Sequence, residues 1–168
     1  MTGLEQIRAA AVETLCAAGM TAVAEYEPQR LGAYDGAVAV IGVKAAESRE
    51  LGFISYLGES FDEARGGYVE RYAKRMEATL SVEIYAPREA GAGATETAME
   101  RAVEQLSERA PIGLRVGRAV WGEAEWDEAS AMLRRRGTLE CRALLIAEAQ
   151  EEEDGEILDF ILRGTMKT

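Results

Sequence analysis

Residues 137–150 read GTLECRALLIAEAQ, and this stretch decides the fold class because its side chains alternate with a period of two. One face of the predicted strand carries Leu139, Cys141, Ala143, Leu145 and Ala147. The other carries Glu140, Arg142, Leu144, Ile146 and Glu148. Successive Cβ atoms of a strand point to opposite faces, so a period of two is typical of a strand. Residues 157–163 alternate again after an acidic turn, which predicts paired antiparallel strands from about Ser130 to Lys167.

Other segments of the chain show the same alternation. It predicts strands over residues 20–26, 68–86, 113–120 and 126–133, and a weaker one over 51–57. Residues 37–43 are almost wholly apolar, which is typical of a central strand buried on both faces. We expect a turn or short helix at residues 44–50. The polar, glycine-punctuated residues 58–67 favour an exposed loop.

Two segments have the spacing of amphipathic helices. From Gly3 to about Ala18, apolar residues recur every three or four positions, and Gly19 follows as a C-terminal stop. Thr2 and Glu5 fit a capping box, in which each side chain binds a free backbone N–H at the helix start. A second helix is predicted over residues 95–108, with Thr97 and Glu100 as its capping pair and Pro111 after its end.

The order of helix, strands, helix and strands predicts an α+β fold, because it is not the alternating series of a parallel sheet. We expect a mainly antiparallel mixed sheet packed by two amphipathic helices, with a long strand or hairpin arm. The chain of 168 residues is most simply a single domain, residues 1–168. Residues 58–75 or so are the expected exposed loop or arm, since a strand as long as 68–86 usually leaves its sheet partway.

The charge balance disfavours a protein that grips nucleic acid. Asp and Glu outnumber Lys and Arg by 30 to 19, which gives a formal net charge of -11. Binding to a phosphate backbone draws its affinity from clustered cations that release counterions. Residues 71–75 and 134–136 are the two basic runs of the chain. Both are short and have acids nearby, so we expect them to form solvated surface rather than a nucleic-acid site.

The residue inventory also disfavours an enzyme. The chain has no His, the commonest general base near neutral pH and the commonest nitrogen ligand of metals. Cys16 and Cys141 lie far apart on apolar segments, so both are expected to be buried small hydrophobic residues rather than a disulfide. No signal peptide or membrane span is predicted, and the expected compartment is a reducing cytoplasm.

Three motifs could carry chemistry, and each has a simpler structural explanation. Gly91-Ala92-Gly93-Ala94-Thr95 follows a strand and precedes a helix, the setting of a phosphate loop. Glu96 stands where the third glycine of that motif belongs, and its charge would repel phosphate, so a flexible loop is expected. The acidic turn could attract a cation but lacks the ligand spacing of a calcium loop. It consists of Glu151, Glu152, Glu153 and Asp154.

A cluster of acids surrounds Trp121 and Trp126 in a way that suggests a glycosidase. Its members are Glu123, Glu125, Asp127 and Glu128. Spacing alone does not give one of them a raised pKa, and we expect the two tryptophans to anchor the core or a subunit interface. No hydroxyl has a His partner that could activate it. The expectation is a protein that is not an enzyme, with no catalytic, cofactor-binding or metal-binding residues and no cofactor.

The order of elements across almost the whole chain resembles that of phage or prophage tail-terminator proteins, also called minor tail or tail-completion proteins. The resemblance begins with the capped N-terminal helix, the apolar strand at residues 37–43 and the long strand ending in LSVEIYAP at residues 80–87. It continues through the glycine-rich loop, the second helix and the Trp126-Asp127 pair. It ends with the terminal strands, which finish in LDFILRG at residues 158–164.

The resemblance implies a virion structural protein that forms a homo-oligomeric ring, commonly hexameric, on the tail tube. Such a ring ends polymerisation of the tail tube protein and docks the head-completion or connector proteins, and a sheath protein also ends on it in contractile tails. The charge balance and the lack of a long apolar stretch add the expectation of no specific nucleic-acid binding and no membrane association. The protein would lie in the host cytoplasm during assembly, then in the tail of a virion or phage-like particle. A strongly acidic lumen would let DNA pass by like-charge repulsion.

Two other functions remain open. One is another phage head–tail connector or adaptor protein with a single protein partner. The other is a small ligand-binding or hydrolytic α+β domain, whose pocket would be lined by Glu123, Asp127 or the loop from Gly91 to Gly93.

Overall fold

The structure is a computed structural model that describes residues 3–50, 56–64, 66–110, 113–150 and 159–162. The helices are α1 (Gly3–Ala17), α2 (Pro28–Leu31) and α3 (Gly91–Arg109), and a 3-10 turn at Arg88–Ala90 precedes α3. The strands are β1 (Thr21–Val23), β2 (Val38–Glu50), β3 (Tyr56–Asp62), β4 (Gly67–Ala86), β5 (Leu114–Asp127), β6 (Met132–Gln150) and β7 (Asp159–Leu162). The fold is α+β, as the sequence predicted.

All the strands form a single sheet. Its order is β1-β2-β4-β6-β5, while β3 pairs with β4 and β7 pairs with β6. Strands β1 and β2 are parallel, and the other pairs are antiparallel, so the sheet is mixed and mainly antiparallel. The pairing of β6 with β7 confirms the predicted terminal hairpin, whose acidic turn lies outside the described residues.

A ribbon of β4 and β6 is the axis of the fold. These strands have 20 and 19 residues, and they pair without a break from Val69 opposite Gln150 to Ala86 opposite Leu133. At about 3.3 Å per residue, the ribbon is roughly 55 Å long. Strands β2 and β5 flank one end of it, and β3 and β7 flank the other. We call β3 together with residues 67–76 of β4 the arm.

Helices α1 and α3 cover one face of the sheet and form the main core. Their apolar stripes bury Ile7, Ala11, Leu15, Met99, Ala102 and Leu106. The sheet contributes Ala78, Leu80, Val82, Ile84, Leu139, Cys141 and Ala143. These are the faces that the alternation of residues 68–86 and 137–150 predicted. Burying one such Leu or Ile side chain contributes about 1.5–3 kcal/mol.

A second, smaller core lies on the opposite face at the end of the ribbon remote from the arm. It contains Leu31, Val38, Val40, Tyr85 and Met132. Residues 38–41 are therefore buried on both faces of β2, as predicted. The short helix α2, which begins at Pro28 and supplies Leu31, was not predicted, although proline is favoured at the first helical position.

The structure corrects several predicted boundaries. Residues 44–50 continue β2 past a bulge between Val43 and Ala45, rather than forming a turn or helix. Residues 58–62, the first half of the predicted loop, form most of β3. Helix α3 begins at Gly91, so Thr97 is an internal helical residue and not a cap. Strand β1 is shorter than predicted, and a turn at residues 128–131 divides the predicted strand 126–133 between β5 and β6.

The two cysteines differ in environment. Cys141 is buried as predicted, but Cys16 is exposed on α1, which corrects the prediction for that residue. Both thiols are free. Gly19 has a φ of 76° after α1, the left-handed conformation expected at a helix stop. Among the described helices, none combines the length and apolar character needed to cross a membrane.

Candidate functional site

The face of the sheet opposite the long helices is open over its middle and carries charged side chains from four strands. The register sets them side by side in the order Glu47, Glu77, Arg142 and Arg115. We call these four residues the charged row. Directly opposed side chains in neighbouring strands lie about 5 Å apart. The row therefore places two acids on β2 and β4 beside two bases on β6 and β5.

Ion pairs connect the centre of the charged row. The Glu77 Oε1 atom lies 3.7 Å from Arg142 Nε and 3.8 Å from Arg75 Nε. These side chains are partly or largely exposed, and such pairs contribute about 0–1 kcal/mol to stability. These ion pairs therefore set the charge pattern of this face and contribute little to the stability of the protein.

A groove of about 850 Å³ lies over the charged row. Besides the row, its lining includes Thr79, Gly117, Arg118 and Glu140. It contains carboxylates, guanidinium groups and one hydroxyl, and the chain supplies no imidazole that could activate that hydroxyl. The groove can offer ion pairs to a charged surface. Glu123, Asp127 and the Gly91–Gly93 segment, the pocket residues expected for a ligand-binding domain, are not part of its lining.

Asp127 lies instead at the centre of a hydrogen-bond network that holds the β5–β6 turn. Its Oδ2 accepts hydrogen bonds from Tyr26 Oη at 2.7 Å, Ser130 Oγ at 2.6 Å and Ser130 N at 3.1 Å. Its Oδ1 accepts one from Arg134 Nη1 at 2.9 Å. Burial alone would raise the pKa of this carboxyl, but the Ser130 and Tyr26 hydrogen bonds and the Arg134 charge outweigh it, so the pKa is lowered. A general acid near neutral pH needs a raised pKa.

The other acids near the tryptophans do not converge on Asp127. Glu125 Oε1 pairs with Arg134 Nη2 at 2.9 Å and with Arg136 Nε at 3.1 Å. Glu123 and Glu128 are exposed. Among the described residues, no group of three or more His, Cys, Asp or Glu side chains is arranged to hold a metal ion.

Strand alternation separates the basic run at residues 134–136. Arg134 and Arg136 pair with acids on the open face, whereas Arg135 is buried on the helix face. Its guanidinium donates to Thr95 Oγ1 at 3.1 Å and to the Gly122 carbonyl at 2.6 Å. The run therefore ties α3 to the sheet and does not form a continuous basic patch.

The glycine-rich segment at residues 91–95 belongs to α3 and not to a flexible loop. Gly91, with a φ of 76°, joins the 3-10 turn to the helix. Thr95 is buried and donates a hydrogen bond to the Ala92 carbonyl at 2.6 Å. Its hydroxyl also receives the Arg135 hydrogen bond, so the segment anchors the helix start.

Two buried groups have raised pKa values. The Tyr85 hydroxyl is fully buried and donates to Glu83 Oε2 at 2.6 Å; burial, then this hydrogen bond, raises its pKa. Tyr85 also stacks on Tyr26, with ring centroids 5.3 Å apart. Burial raises the pKa of the Cys141 thiol to about 12, so this cysteine is not a thiolate nucleophile at neutral pH.

Exposed aromatic side chains form the other notable surfaces. Trp121 and Trp126 are 37% and 44% exposed on β5, so they do not anchor the core. Their other predicted role, as anchors of a subunit interface, stays a prediction. In the arm, Tyr56, Leu57, Phe61 and Tyr68 are exposed. Sequence reasoning missed the charged row and the arm aromatics. For the arm aromatics, the available signal was the recurrence of aromatic residues at positions 56, 61, 68 and 72.

Comparisons with known proteins give a likeness to solved structures. No family model matches the chain, and no curated protein matches it. A solved structure similar to it is the cryo-EM structure of the sheath/tube terminator of an extracellular contractile injection system, PVC, in the extended state. The sequence identity is 9% and the TM-score 0.48, over 100% of this chain and 64% of that one. The chain thus spans less than two thirds of the length of the chain that it matches.

Proposed function

We propose that this chain is a structural tail protein of the terminator type, which assembles into a homo-oligomeric ring of six subunits. The observation that carries the proposal is the arm: the β4–β6 ribbon continues beyond the helix-covered core and carries exposed aromatic side chains at that end. A surface of this kind serves a protein partner better than it serves a reaction.

Two physical arguments support assembly. Monomeric proteins rarely expose large contiguous apolar patches, and interaction with another protein is one common reason for such a patch. Phe61 and Tyr68 pack edge to face in the arm with ring centroids 5.4 Å apart, although both remain more than half exposed. An exposed strand edge also presents unpaired backbone groups, which favours pairing with another chain.

The ring caps the tail tube, ends tube polymerisation and offers its other side to the head-completion proteins. In a contractile particle, the sheath ends on the same ring. The net charge of -11 suits a ring through which DNA passes without adhering. The whole chain acts as one domain in this role, with no cofactor and no catalytic, cofactor-binding or metal-binding residue.

Light scattering coupled to size-exclusion chromatography, with negative-stain electron microscopy of the peak, tests the ring. We expect a six-subunit mass or, if the ring needs its template, the appearance of that species when the tube protein is added. Tube length in a polymerisation assay should fall as the protein is added. A strictly monomeric protein at every concentration, alone and with tube protein, would contradict the proposal. Co-purification with portal components but never with tube protein would favour the connector alternative.

A further inference from the structure

Strand β3 is held on one edge only. Among the described strands it pairs with β4 alone, and none of its residues is buried. A shift in register between Tyr56 and Gly58 also interrupts its backbone ladder. The attachment of β3 therefore depends on a short ladder and on the side-chain pairs that cross from β3 to β4.

Three cross-strand pairs lie side by side on one face of the arm. They are Tyr56–Tyr72, Glu59–Glu70 and Phe61–Tyr68. Residues 68, 70 and 72 share this face because side chains two positions apart on a strand point the same way. The rings of each aromatic pair are in contact, with centroids 5.4 Å apart, and both contacts hold β3 on β4. The acid pair lies between them.

The acid pair opposes this attachment. Directly opposed residues in antiparallel strands have Cβ atoms about 4.5–5.5 Å apart, and like charges at that distance destabilise the pairing. Tyr72 Oη donates a hydrogen bond to Glu70 Oε2, and this bond, followed by burial, raises the pKa of Tyr72. Burial and then the charges of Glu59 and Glu70 raise the pKa of Tyr56. Both carboxylates thus act on the same two hydroxyl groups.

No base compensates the acid pair within the part of the chain that the structure describes. No Lys or Arg there forms an ion pair with Glu59 or Glu70, and β3 itself carries none. Arg71 and Arg75 point to the opposite face of β4, because side chains alternate along a strand. Lys74 shares the face of Glu70 but lies four residues further on, about 13 Å along the strand.

Another opposed acid pair of the sheet is compensated. Glu47 lies opposite Glu77 across β2 and β4. Glu77 Oε1, however, lies 3.7 Å from Arg142 Nε and 3.8 Å from Arg75 Nε. The same arrangement of two acids therefore has bases beside it in the middle of the sheet, whereas the described part of the arm provides none.

We propose that Glu59 and Glu70 make β3 a releasable strand, which separates from β4 more readily at low ionic strength than in concentrated salt. Salt screens the repulsion between exposed charges, because the Debye length falls from roughly 30 Å at 0.01 M to about 3 Å at 1 M. Release is a local opening that frees the edge of β4 at residues 67–72. It is a property of a single subunit and does not depend on the proposed ring.

Hydrogen exchange of the β3 amides, at neutral pH and a concentration where the protein is monomeric, measures the opening. Glu59→Gln should lower the opening equilibrium about two- to fivefold at low salt, the range expected for an opposed like-charge pair. Glu70→Gln should act in the same direction. The double variant should gain little beyond either single change, since each alone removes the repulsion.

Glu63→Gln is the matched control. It removes one negative charge from the exposed turn that follows β3, where the residue has no opposed acid in the β3–β4 register, and it should leave the opening unchanged. The salt response tests the release without any substitution. Raising the salt from roughly 0.01 M to 1 M should lower the opening of the wild type and have little effect on Glu59→Gln.

Three results would overturn the releasable strand. The first is the same opening in the wild type and in Glu59→Gln. The second is an equal decrease in Glu59→Gln and Glu63→Gln, which would show that the net charge of the arm acts rather than the opposed pair. The third is a change that extends to the amides of residues 78–84, because the effect would then not be local to the arm. None of these results depends on whether the protein assembles.

Discussion

The two halves of strand β4 share the same partner strand but have different surroundings. In residues 78–86, Leu80, Ile84 and Tyr85 are completely buried between the helices, the sheet and the smaller core. In residues 67–76, Val69 and Ala73 are buried as well, but Tyr68 is 66% exposed even though β3 and β6 pair with both edges of the strand. The comparison teaches that backbone pairing extends this sheet well beyond the region that the helices cover. One half of β4 stabilises the subunit, and we expect the other to serve association.

The largest effect should come from the covered half. Leu80→Ala leaves a cavity under α1 and α3, so the free energy of unfolding should fall by about 2–5 kcal/mol. Urea denaturation at a concentration where the protein is monomeric measures this. Tyr68→Ala on the same strand is the matched control and should cost less than about 1 kcal/mol. Equal losses at the two positions would contradict the division of β4.

The next effect concerns the turn at the covered end of the ribbon. Asp127→Asn removes the charge that accepts the Tyr26, Ser130 and Arg134 hydrogen bonds, so unfolding should become easier by about 1–3 kcal/mol. The pKa of Asp127 is lowered from the usual 3.8 in the folded state. Its stabilisation is therefore fully present above pH 3.8 and is lost as the pH falls through the lower folded value.

Denaturation curves of the wild type and the Asp127→Asn variant across pH 2–7 measure this dependence. The difference between the two proteins should be constant at neutral pH and shrink below about pH 4. Glu128→Gln, at an exposed neighbour in the same turn, serves as the control. A difference that grew as the pH fell would show that the sign of the pKa shift is wrong.

A smaller effect is expected where the two halves of β4 meet. Glu77→Gln removes the acid that pairs with both Arg142 and Arg75, and these pairs are partly exposed. The loss should be about 1 kcal/mol or less and should decrease further at 1 M salt, because screening weakens surface ion pairs. Thermal denaturation at low and high salt measures it, with Glu100→Gln on the exposed side of α3 as the control. A salt-independent loss would mean that the charged row acts through packing.

The smallest effect on the subunit should come from the tip of the arm. Phe61→Ser should change the unfolding free energy of the monomer by less than about 1 kcal/mol, since this side chain is 55% exposed. The same change should strongly weaken assembly, as measured by light scattering. A loss of about 2 kcal/mol or more in the monomer would show that the arm stabilises the folded subunit. The proposed division of β4 into a stabilising half and an associating half would then be wrong.

The covered elements could be predicted from the sequence because burial creates a pattern. Helix α1, the buried part of β2 and the alternation of β4 and β6 all follow from apolar spacing. Strand β3 has no such pattern, because an exposed strand does not need alternating apolar residues, and so residues 58–62 suggested a loop. The bulge between Val43 and Ala45 interrupts the alternation of β2, which concealed the continuation of that strand.

The charged row was beyond sequence reasoning for a different reason. Its four residues come from four strands, and only the pairing register places Glu77 beside Arg142. Trp126 is a different case. The sequence marks it as a candidate core or interface residue, but its exposure depends on the position of β5 at the edge of the sheet. Periodicity predicts the faces within an element, whereas surfaces that bind partners depend on the order of elements in space.

The large separation of β4 and β6 in the sequence also affects when the ribbon can fold during synthesis. Val69 pairs with Gln150, and Ala86 with Leu133, so the ribbon cannot form until most of the chain has been made. At about 5–20 residues per second on the ribosome, β4 waits several seconds for β6. We expect Lys74, Arg75 and Glu77 to discourage mispairing meanwhile, because charges on an open strand edge oppose aggregation. Replacing all three by Thr should lower the soluble yield during synthesis more than it lowers the stability of the purified protein, and an unchanged yield would contradict this role.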